Sequence, residues 1–392
     1  GLDWSTPVIV DQNTGSSLIS AADGCHVRGD RGFVLWRDNR AASPSASYEP
    51  FFARSTDGGA TFESELELPT PFPDGSVSAL AFAAPTEQDL YVAAAVGSSA
   101  FSAQQGVLIS SHDGGQSWSF VQVPEDAGTD VDALAVSALP DAPQTVHVSW
   151  IADADVANKG EVFYRRSDDG GASFATPEQL LSDPAGFGNA IEQPGAPTIA
   201  ADPGSGLLGV TWHDDLSGPS GATISLVGFN LAVSTDGGAS FQPPIQVDAA
   251  NSRQGSAVVS DAGLALTWKK AAPSTDPFFQ TYGNRYEAGA LVGSAQSLGG
   301  NSAFAPRLAA EPGSNHVALL FADESFGVSG NQVPRLAISR DGGATWETTF
   351  PLPVEPSLDA NALDHRIVFN ALYRNFVAHL VYAPNDAPFG GS

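Results

Sequence analysis

The chain of 392 residues is poor in sulfur. It has one cysteine, Cys25, so it can form no internal disulfide and no metal site built from several thiolates. Methionine is absent, even at position 1, so we expect a processed chain whose leader has been removed. No run of 18 apolar residues occurs, and we therefore expect no membrane-spanning helix.

Positive charge is also scarce. The chain has 17 Lys and Arg against 44 Asp and Glu, which gives a formal net charge of −27. An excess of acid repels phosphate groups, so we expect neither a nucleic-acid partner nor binding to an anionic membrane. Such acidity is typical of a protein exposed to salt or divalent ions outside the cell. We therefore expect a secreted or cell-surface (extracellular or periplasmic) protein without membrane insertion.

Glycine and proline are abundant, and one eight-residue sequence motif, called here the phrase, is repeated five times. The 41 Gly and 28 Pro, with 42% hydrophobic residues, favour an all-β protein with many turns and a large core. The phrase Ser-x-Asp-Gly-Gly-x-Ser/Thr-Phe/Trp predicts a tight hairpin, because Gly-Gly supplies positive φ and the Asp accepts hydrogen bonds from its own turn. Its five aspartates are Asp57, Asp113, Asp169, Asp236 and Asp341.

Alternating segments around each phrase predict four short strands per unit, A to D, with the phrase at the C–D turn. Units of this kind in tandem predict a single-domain β-propeller of four-stranded antiparallel blades. We expect seven blades, with six as the alternative, at residues 18–70, 76–124, 131–181, 193–248, 255–299, 302–353 and 360–383 plus 1–11. In the fifth, Gly293-Ser-Ala-Gln stands where the turn is expected. The N-terminal strand would close the ring by pairing with the last blade, for which no C strand is evident.

Two strings carry a family resemblance, Trp36-Arg-Asp-Asn-Arg40 and Ala53-Arg-Ser-Thr-Asp-Gly-Gly-Ala-Thr-Phe62. They resemble the BNR-repeat, or sialidase-like, β-propellers of the secreted bacterial type, in which the phrase is called an Asp box. The resemblance covers nearly the whole chain. It implies that the box forms turns at the outer edge of each blade, and many members of the family have no known catalysis. The fold therefore does not give the function.

The exo-sialidases of that family use three arginines, a Tyr–Glu nucleophile pair and an aspartate acid/base. The resemblance offers Arg28, Arg285 and Arg307 for the arginines, Asp38 for the acid/base, and Tyr282, Tyr286 or Tyr373 for the nucleophile. The chain departs from the family pattern because Arg28 is not followed by Ile-Pro. A seventh blade would also depart from the sialidases, which have six.

Carboxylates recur just past the B strands, where propeller loops share the top face. The residues are Asp38, Asp153, Asp214, Asp215 and Asp323, with Arg40 nearby, and Lys269 and Lys270 break the series in the fifth blade. A ring of these carboxylates on the top face would hold a divalent cation such as Ca²⁺, or a cationic patch of a partner protein. Alternatively, these aspartates cap turns and keep the protein soluble. We expect no other cofactor.

The segment from Tyr282 to Glu287 is aromatic and lacks a box. It predicts a sugar-stacking or partner-docking loop, or else a blade that has drifted in sequence.

Taken together, the sequence favours a non-catalytic binding propeller that recognises a glycan or a protein through its top face. A sialidase-like exo-glycoside hydrolase is the alternative. A structural subunit of a surface layer or filament is a further alternative.

Overall fold

A computed structural model describes most of the chain. The described residues are 8, 10–11, 17–18, 24–39, 48–73, 75–99, 102–126, 129–153, 160–182, 197–202, 204–215, 227–249, 252–271, 279–301, 306–323, 333–347, 350–351, 363–370 and 375–382. Their regular structure is entirely β, and every strand pair is antiparallel. Among them no helix is long and apolar enough to cross a membrane.

Three sheets lie in the first of two compact units, which comprises residues 1–182 and 192–197. Sheet 1 contains β1 (Ser17–Leu18), β2 (Cys25–Arg28), β3 (Arg31–Asp38), β4 (Glu49–Ser55) and β5 (Leu66–Glu67). Sheet 2 contains β6 (Ser76–Ala83), β7 (Leu90–Gly97), β8 (Gln105–Ser111) and β9 (Ser119–Gln122). Sheet 3 contains β10 (Val131–Leu139), β11 (Ala142–Asp153), β12 (Gly160–Ser167) and β13 (Gln179–Leu180).

The second unit comprises residues 183–191 and 198–392. Sheet 4 contains β14 (Thr198–Ala201), β15 (Leu208–Asp215), β16 (Val227–Ser234) and β17 (Ile245–Asp248). Sheet 5 contains β18 (Ser252–Ser260), β19 (Gly263–Ala271), β20 (Phe279–Glu287), β21 (Ala290–Leu291) and β22 (Gln296–Asn301). Sheet 6 contains β23 (Arg307–Ala310), β24 (Val317–Asp323), β25 (Val333–Ser339) and β26 (Phe350–Pro351). A C-terminal hairpin follows, with β27 (Leu363–Asn370) and β28 (Asn375–Tyr382).

Each of the six sheets follows the predicted A–B–C–D order. In sheets 2, 3, 4 and 6 the four strands pair in sequence order. In sheet 1 the A position is divided, because β1 and β2 both pair with β3. In sheet 5 the D position is divided, because β21 and β22 both pair with β20. Chain reversals are therefore local within each sheet.

The C-terminal hairpin is the part assigned to the last blade. It pairs Leu363–Asn370 with Asn375–Tyr382 over the full length of both strands. Residues 1–7 and 9, which were expected to supply a further strand, lie outside the described residues. Ring closure through the N-terminus and the choice between six and seven blades therefore stay predictions.

In the first unit, apolar side chains fill the spaces between consecutive sheets. One cluster joins Phe33 and Phe52 of sheet 1 to Phe82 and Leu90 of sheet 2. A second joins sheets 2 and 3 and includes Trp150. Burial of such rings is the main favourable term in folding, at about 2–3 kcal/mol for each large side chain.

In the second unit, the same arrangement joins sheets 4, 5 and 6. One cluster holds Phe229 of sheet 4 with Leu266 and Trp268 of sheet 5. Another joins sheet 5 to sheet 6 through Ala265 and Phe321. The aromatic residue that the sequence places in each B strand is buried in five sheets, at Trp36, Trp150, Trp212, Trp268 and Phe321.

Candidate functional site

The Asp-box turns share one hydrogen-bond pattern. In all five, the Ser hydroxyl donates to Oδ1 of the Asp at 2.7–2.8 Å. The Ser or Thr four residues after the Asp donates its backbone N–H to Oδ1 at 2.8–2.9 Å and its hydroxyl to Oδ2 at 2.6 Å. Both carboxylate oxygens are thus engaged within the turn, which supports a structural role.

These hydrogen bonds stabilise the ionised carboxylates. The hydroxyl of Thr61 is the main reason that the pKa of Asp57 falls to about 2. The hydroxyl of Ser240 likewise lowers the pKa of Asp236 to about 2. The pKa of Asp169 is lowered in the same direction, chiefly by Ser173. The box aspartates are therefore fixed anions at neutral pH.

Sheet 5 makes its C–D turn without a box. The strand register places Tyr286 opposite Leu264, where the other sheets have the box serine. The reversal occurs at Ala288 and Gly289, with φ values of 49° and 94°. Two consecutive residues with positive φ are characteristic of a type I′ hairpin turn. The expected turn at Gly293 is therefore wrong, because the chain has already reversed before that residue.

The opposite end of each sheet, where strands A and C begin and strands B and D end, is called here the loop end. In sheet 1 it carries two buried carboxylates. Asp38 and Glu49 face each other across β3 and β4, and their side chains are 0% and 7% exposed. Opposed residues on antiparallel strands have Cα atoms about 4.5–5.5 Å apart, so both carboxylates lie on one face of the sheet.

The remaining acidic candidates are described by their backbone alone. Asp153, Asp214 with Asp215, and Asp323 end the B strands of sheets 3, 4 and 6, respectively. Arg40 lies outside the described residues. Within the described part of the chain, no group of three or more His, Cys, Asp or Glu side chains could hold a metal ion. The proposed calcium site stays a prediction.

The two lysines of sheet 5 have different environments. Lys269 is 4% exposed and pairs in register with Thr281. Lys270 points to the other face, because successive strand residues alternate in direction. Its Nζ lies 2.9 Å from both carboxylate oxygens of Asp248, at the end of the D strand of sheet 4. This ion pair links the loop ends of sheets 4 and 5.

An aromatic stack stands beside that ion pair. The ring of Phe229 stacks on Trp268 with centroids 5.6 Å apart, and Trp268 stacks on the cross-strand Tyr282 at 6.2 Å. The indole Nε1 of Trp268 donates to Oδ2 of Asp248 at 2.9 Å, which fixes the orientation of the stack. Lys270 Nζ lies 5.8 Å from the centre of the half-buried Tyr282 ring.

Small residues lie on the outer side of Tyr282. Its partner on the outer strand β22 is Ser297, which is exposed. A Cβ placed on Gly299 would have no atom within 4 Å. The side chain of Gln280 lies next to the ring, and its Oε1 accepts from the hydroxyls of Tyr282 and Ser297, both at 3.3 Å. The Tyr282 surface is defined as Tyr282, Lys270, Asp248, Gln280 and Ser297.

This location corrects one expectation. The segment Tyr282–Glu287 is part of strand β20 and is not a loop. Tyr282 lies towards the loop end, whereas Tyr286 lies at the C–D turn and is 5% exposed. Of the two tyrosines, Tyr282 is therefore the one positioned beside a polar surface.

The sialidase-like arginines do not lie at one end of their sheets. Arg28 is next to the A–B turn of sheet 1 and donates to the carbonyl of Val27 at 3.0 Å. Arg285 donates to the backbone carbonyl of Asp341, in the Asp box of sheet 6, and to Glu287. Arg307 begins the A strand of sheet 6, at the loop end, and is half-buried. Tyr373 lies outside the described residues. These catalytic assignments stay predictions.

Sequence reasoning missed Asp248, Ser297 and Glu49. Asp248 ends the D strand Ile245–Asp248, so extending the search for strand-end acids from B to D strands would have found it. Glu49 begins a C strand and could have been found in the same way. Ser297 could not, because its position opposite Tyr282 depends on the irregular register of β22.

A shallow cleft also lies at the turn end of sheets 1 and 2. Its volume is about 220 Å³, and its lining includes Phe52, Arg54, Glu63 and Gln116. The guanidinium of Arg54 donates to Glu63 at 2.8 Å and to the carbonyl of Gly114 at 3.1 Å. The contact with Gly114 connects the two sheets, so the residues of this cleft have a structural role.

Solved structures of similar shape include carbohydrate-active enzymes. The α-L-arabinanase of Penicillium chrysogenum, complexed with arabinobiose, is 15% identical, with a TM-score of 0.52 over 83% of this chain and 98% of that one. A polysaccharide lyase of family PL25, an ulvan lyase bound to -[GlcA(1-4)Rha3S]-, is 10% identical, with a TM-score of 0.54 over 92% and 88%. The α-L-arabinofuranosidase of Fusarium graminearum, with an iminosugar inhibitor, is 13% identical, with a TM-score of 0.51 over 84% and 98%.

The chain is an all-β propeller. The predicted fold class is thereby confirmed. No family model matches the sequence, and no curated protein matches it. The specific resemblance to BNR-repeat proteins therefore stays a prediction.

Proposed function

We propose that this propeller binds carbohydrate on the Tyr282 surface. The observation that carries the proposal is a half-buried tyrosine ring, backed by stacked aromatic rings and bordered by polar groups and small residues. Ligand sites commonly combine an aromatic platform with a few polar groups that fix orientation. The arabinobiose and saccharide bound to two of the similar propellers agree with this proposal.

The chemistry of the surface suits a sugar ring. The apolar C–H face of a pyranose or furanose can lie against Tyr282, because an aromatic ring offers a broad apolar area with little entropy to lose. The hydrogen bonds that Gln280 accepts are long, at 3.3 Å, so a ligand hydroxyl can replace them without a large loss. Trp268 is already fixed by Asp248, so the platform is organised before binding.

The proposed role is that of a binding protein without chemistry of its own, acting outside the cell. Its strongly negative charge suits a soluble surface protein. A protein ligand that presents a flat or aliphatic side chain to Tyr282 is the other occupant that this surface accepts. Glycan is preferred because the surface combines one ring with several groups that bind hydroxyls.

Isothermal titration with arabinohexaose and xylohexaose tests this function. Tyr282→Ala is expected to weaken binding about five- to 150-fold, since a stacked aromatic contributes about 1–3 kcal/mol, whereas Tyr282→Phe keeps the ring and loses less. Phe120→Ala is the matched control, because Phe120 is a 39% exposed ring on β9 that belongs to no such surface. Equal affinities for the wild type and Tyr282→Ala would refute the proposed site.

A second candidate, a sialidase-like glycoside hydrolase, is favoured by the opposed Asp38 and Glu49. Most glycosidases cleave their substrate with two catalytic carboxyl groups, of which one acts as the acid and the other as the base or nucleophile. The test is turnover of fluorogenic sialoside and α-L-arabinofuranoside substrates. Turnover lost in Asp38→Asn, with unchanged thermal unfolding, would establish hydrolysis and replace the binding role. Absence of turnover on both substrates would favour the binding role.

A further inference from the structure

We infer that the Tyr282 surface selects uncharged glycans and rejects anionic ones. This inference rests on the proposed function and adds to it the chemical class of the ligand. Anionic glycans here are those that carry carboxylates or sulfates. Their recognition normally requires a cation that is free to pair with the ligand.

The charge of Lys270, the cation of this surface, is already balanced by Asp248. Lys270 has both oxygens of Asp248 at 2.9 Å, and Asp248 is held further by the indole of Trp268. The side chain of Asp248 is 12% exposed and that of Lys270 33% exposed, so the pair is partly shielded from water. A ligand carboxylate would meet an ammonium whose charge Asp248 already balances, and it would have to approach close to that fixed carboxylate, which repels it.

The other described cations of sheets 4 and 5 face elsewhere. Among the described side chains of these sheets they are Lys269 and Arg285. Lys269 is 4% exposed and points to the opposite face of β19. Arg285 is three residues beyond Tyr282, about 10 Å along the strand, where Glu287 and the carbonyl of Asp341 accept from it. Neither can serve a ligand on the Tyr282 surface.

The net charge of the chain also disfavours anionic glycans, and it acts at longer range than the ion pair. The chain carries a formal net charge of −27, so polyanions approach against a repulsive potential. Among the side chains that the structure describes, the groups left to contact a ligand are the Tyr282 ring and the neutral Gln280 and Ser297. These groups recognise hydroxyls and need no charge on the ligand. Selection against anionic glycans therefore follows both from the Lys270–Asp248 ion pair and from the negative potential of the whole chain.

The experiment compares two hexasaccharides of equal length, neutral arabinohexaose and anionic hexagalacturonate. Wild-type protein is expected to bind the neutral one at least about thirtyfold more tightly at 50 mM salt, where charge repulsion is least screened. Asp248→Asn removes the negative charge that balances the Lys270 ammonium, and the ratio of the two affinities is expected to fall about tenfold. Asp168→Asn is the control, because it breaks an exposed ion pair with Arg166 in sheet 3 and should leave the ratio unchanged.

Lys270→Gln provides a second route if Asp248→Asn fails to fold. It leaves Asp248 uncompensated, so the preference for the neutral sugar is expected to rise. Tighter binding of hexagalacturonate by the wild type, or an unchanged ratio in folded Asp248→Asn, would overturn the inference and leave glycan binding intact. A fall in the ratio in Lys270→Gln would also overturn it. If neither sugar binds, the proposed function itself fails.

Discussion

Sheets 3 and 5 have the same strand order but different C–D turns. In sheet 3 the turn is closed by Asp169, which accepts from Ser167 and from both the N–H and the hydroxyl of Ser173. In sheet 5 the reversal depends on the positive φ of Ala288 and Gly289. The difference shows that a hairpin of this fold can combine positive φ with side-chain hydrogen bonds, or can be made by positive φ without them.

The two sheets also differ at their C-strand ring. Phe163 of sheet 3 stacks on Trp150, and Tyr282 of sheet 5 stacks on Trp268 in the same way. On the outer strand, however, Phe163 faces Leu180, whereas Tyr282 faces Ser297. The same structural position therefore faces an apolar side chain in one sheet and a small polar side chain in the other. The proposed binding surface therefore lies where the repeat departs from its own pattern.

The largest expected effect distinguishes the two turns. A Cβ on Gly171 would lie 2.5 Å from Cδ2 of the buried Leu108, at a φ of +83°, whereas a Cβ on Gly289 would meet no atom within 4 Å. We expect Gly171→Ala to cost about 3 kcal/mol of unfolding free energy, from strain and repacking. Gly289→Ala should cost about 1 kcal/mol, from φ alone. Urea denaturation measures both, and equal losses would contradict the comparison.

An effect of intermediate size is expected on the pH dependence of the unfolding free energy when Asp236 is replaced. The folded pKa of Asp236 is about 2, below the unfolded value of about 3.9, so the unfolded chain binds more protons between these values. The stability that Asp236 contributes is therefore present above about pH 4 and is lost as the pH falls towards 2. We expect the fall in unfolding free energy between pH 5 and pH 2.5 to be smaller in Asp236→Asn than in the wild type.

Glu287→Gln is the control for that experiment, because Glu287 lies in the turn of sheet 5, which has no Asp box. Its curve shows how the loss of one carboxylate outside an Asp box changes the pH dependence. Parallel curves for the wild type and Asp236→Asn would show that the box carboxylate does not couple to folding.

The smallest effect on stability is expected when the outer-strand residues Ser297 of sheet 5 and Leu180 of sheet 3 are exchanged. Ser297→Leu copies Leu180 and should cover Tyr282 with a change in unfolding free energy within about 0.5 kcal/mol, because Ser297 is exposed. Binding of arabinohexaose should be lost nonetheless. The reciprocal Leu180→Ser should uncover Phe163 without creating affinity, since Phe163 lacks the polar neighbours of Tyr282. Retained binding in Ser297→Leu would show that the ring is not the contact surface.

Much of the fold could be predicted from local signals. The Asp-Gly-Gly phrase requires positive φ at two successive residues, and Gly58 and Gly59, for example, adopt φ values of 72° and 89°. Alternation ending in a B-strand aromatic identified the buried tryptophans. The turn of sheet 5 was misplaced because Ala288-Gly289 is a weak turn signal beside Gly293-Ser-Ala-Gln, and only strand pairing distinguishes them.

The candidate site was predicted in part. The sequence singled out Tyr282 and the two lysines, but it predicted a loop for the segment that begins at Tyr282 and gave the lysines only as a break in the series of carboxylates. It could not show that Lys270 is neutralised, because its partner Asp248 belongs to another sheet, 22 residues away.

What the sequence by itself determined is the repeating β architecture, since turn chemistry and strand periodicity act over a few residues. Only the tertiary structure decided which face each side chain takes and which neighbour it meets across sheets. One-residue changes in register send a side chain to the opposite face, and packing between sheets, not local preference, selects the register.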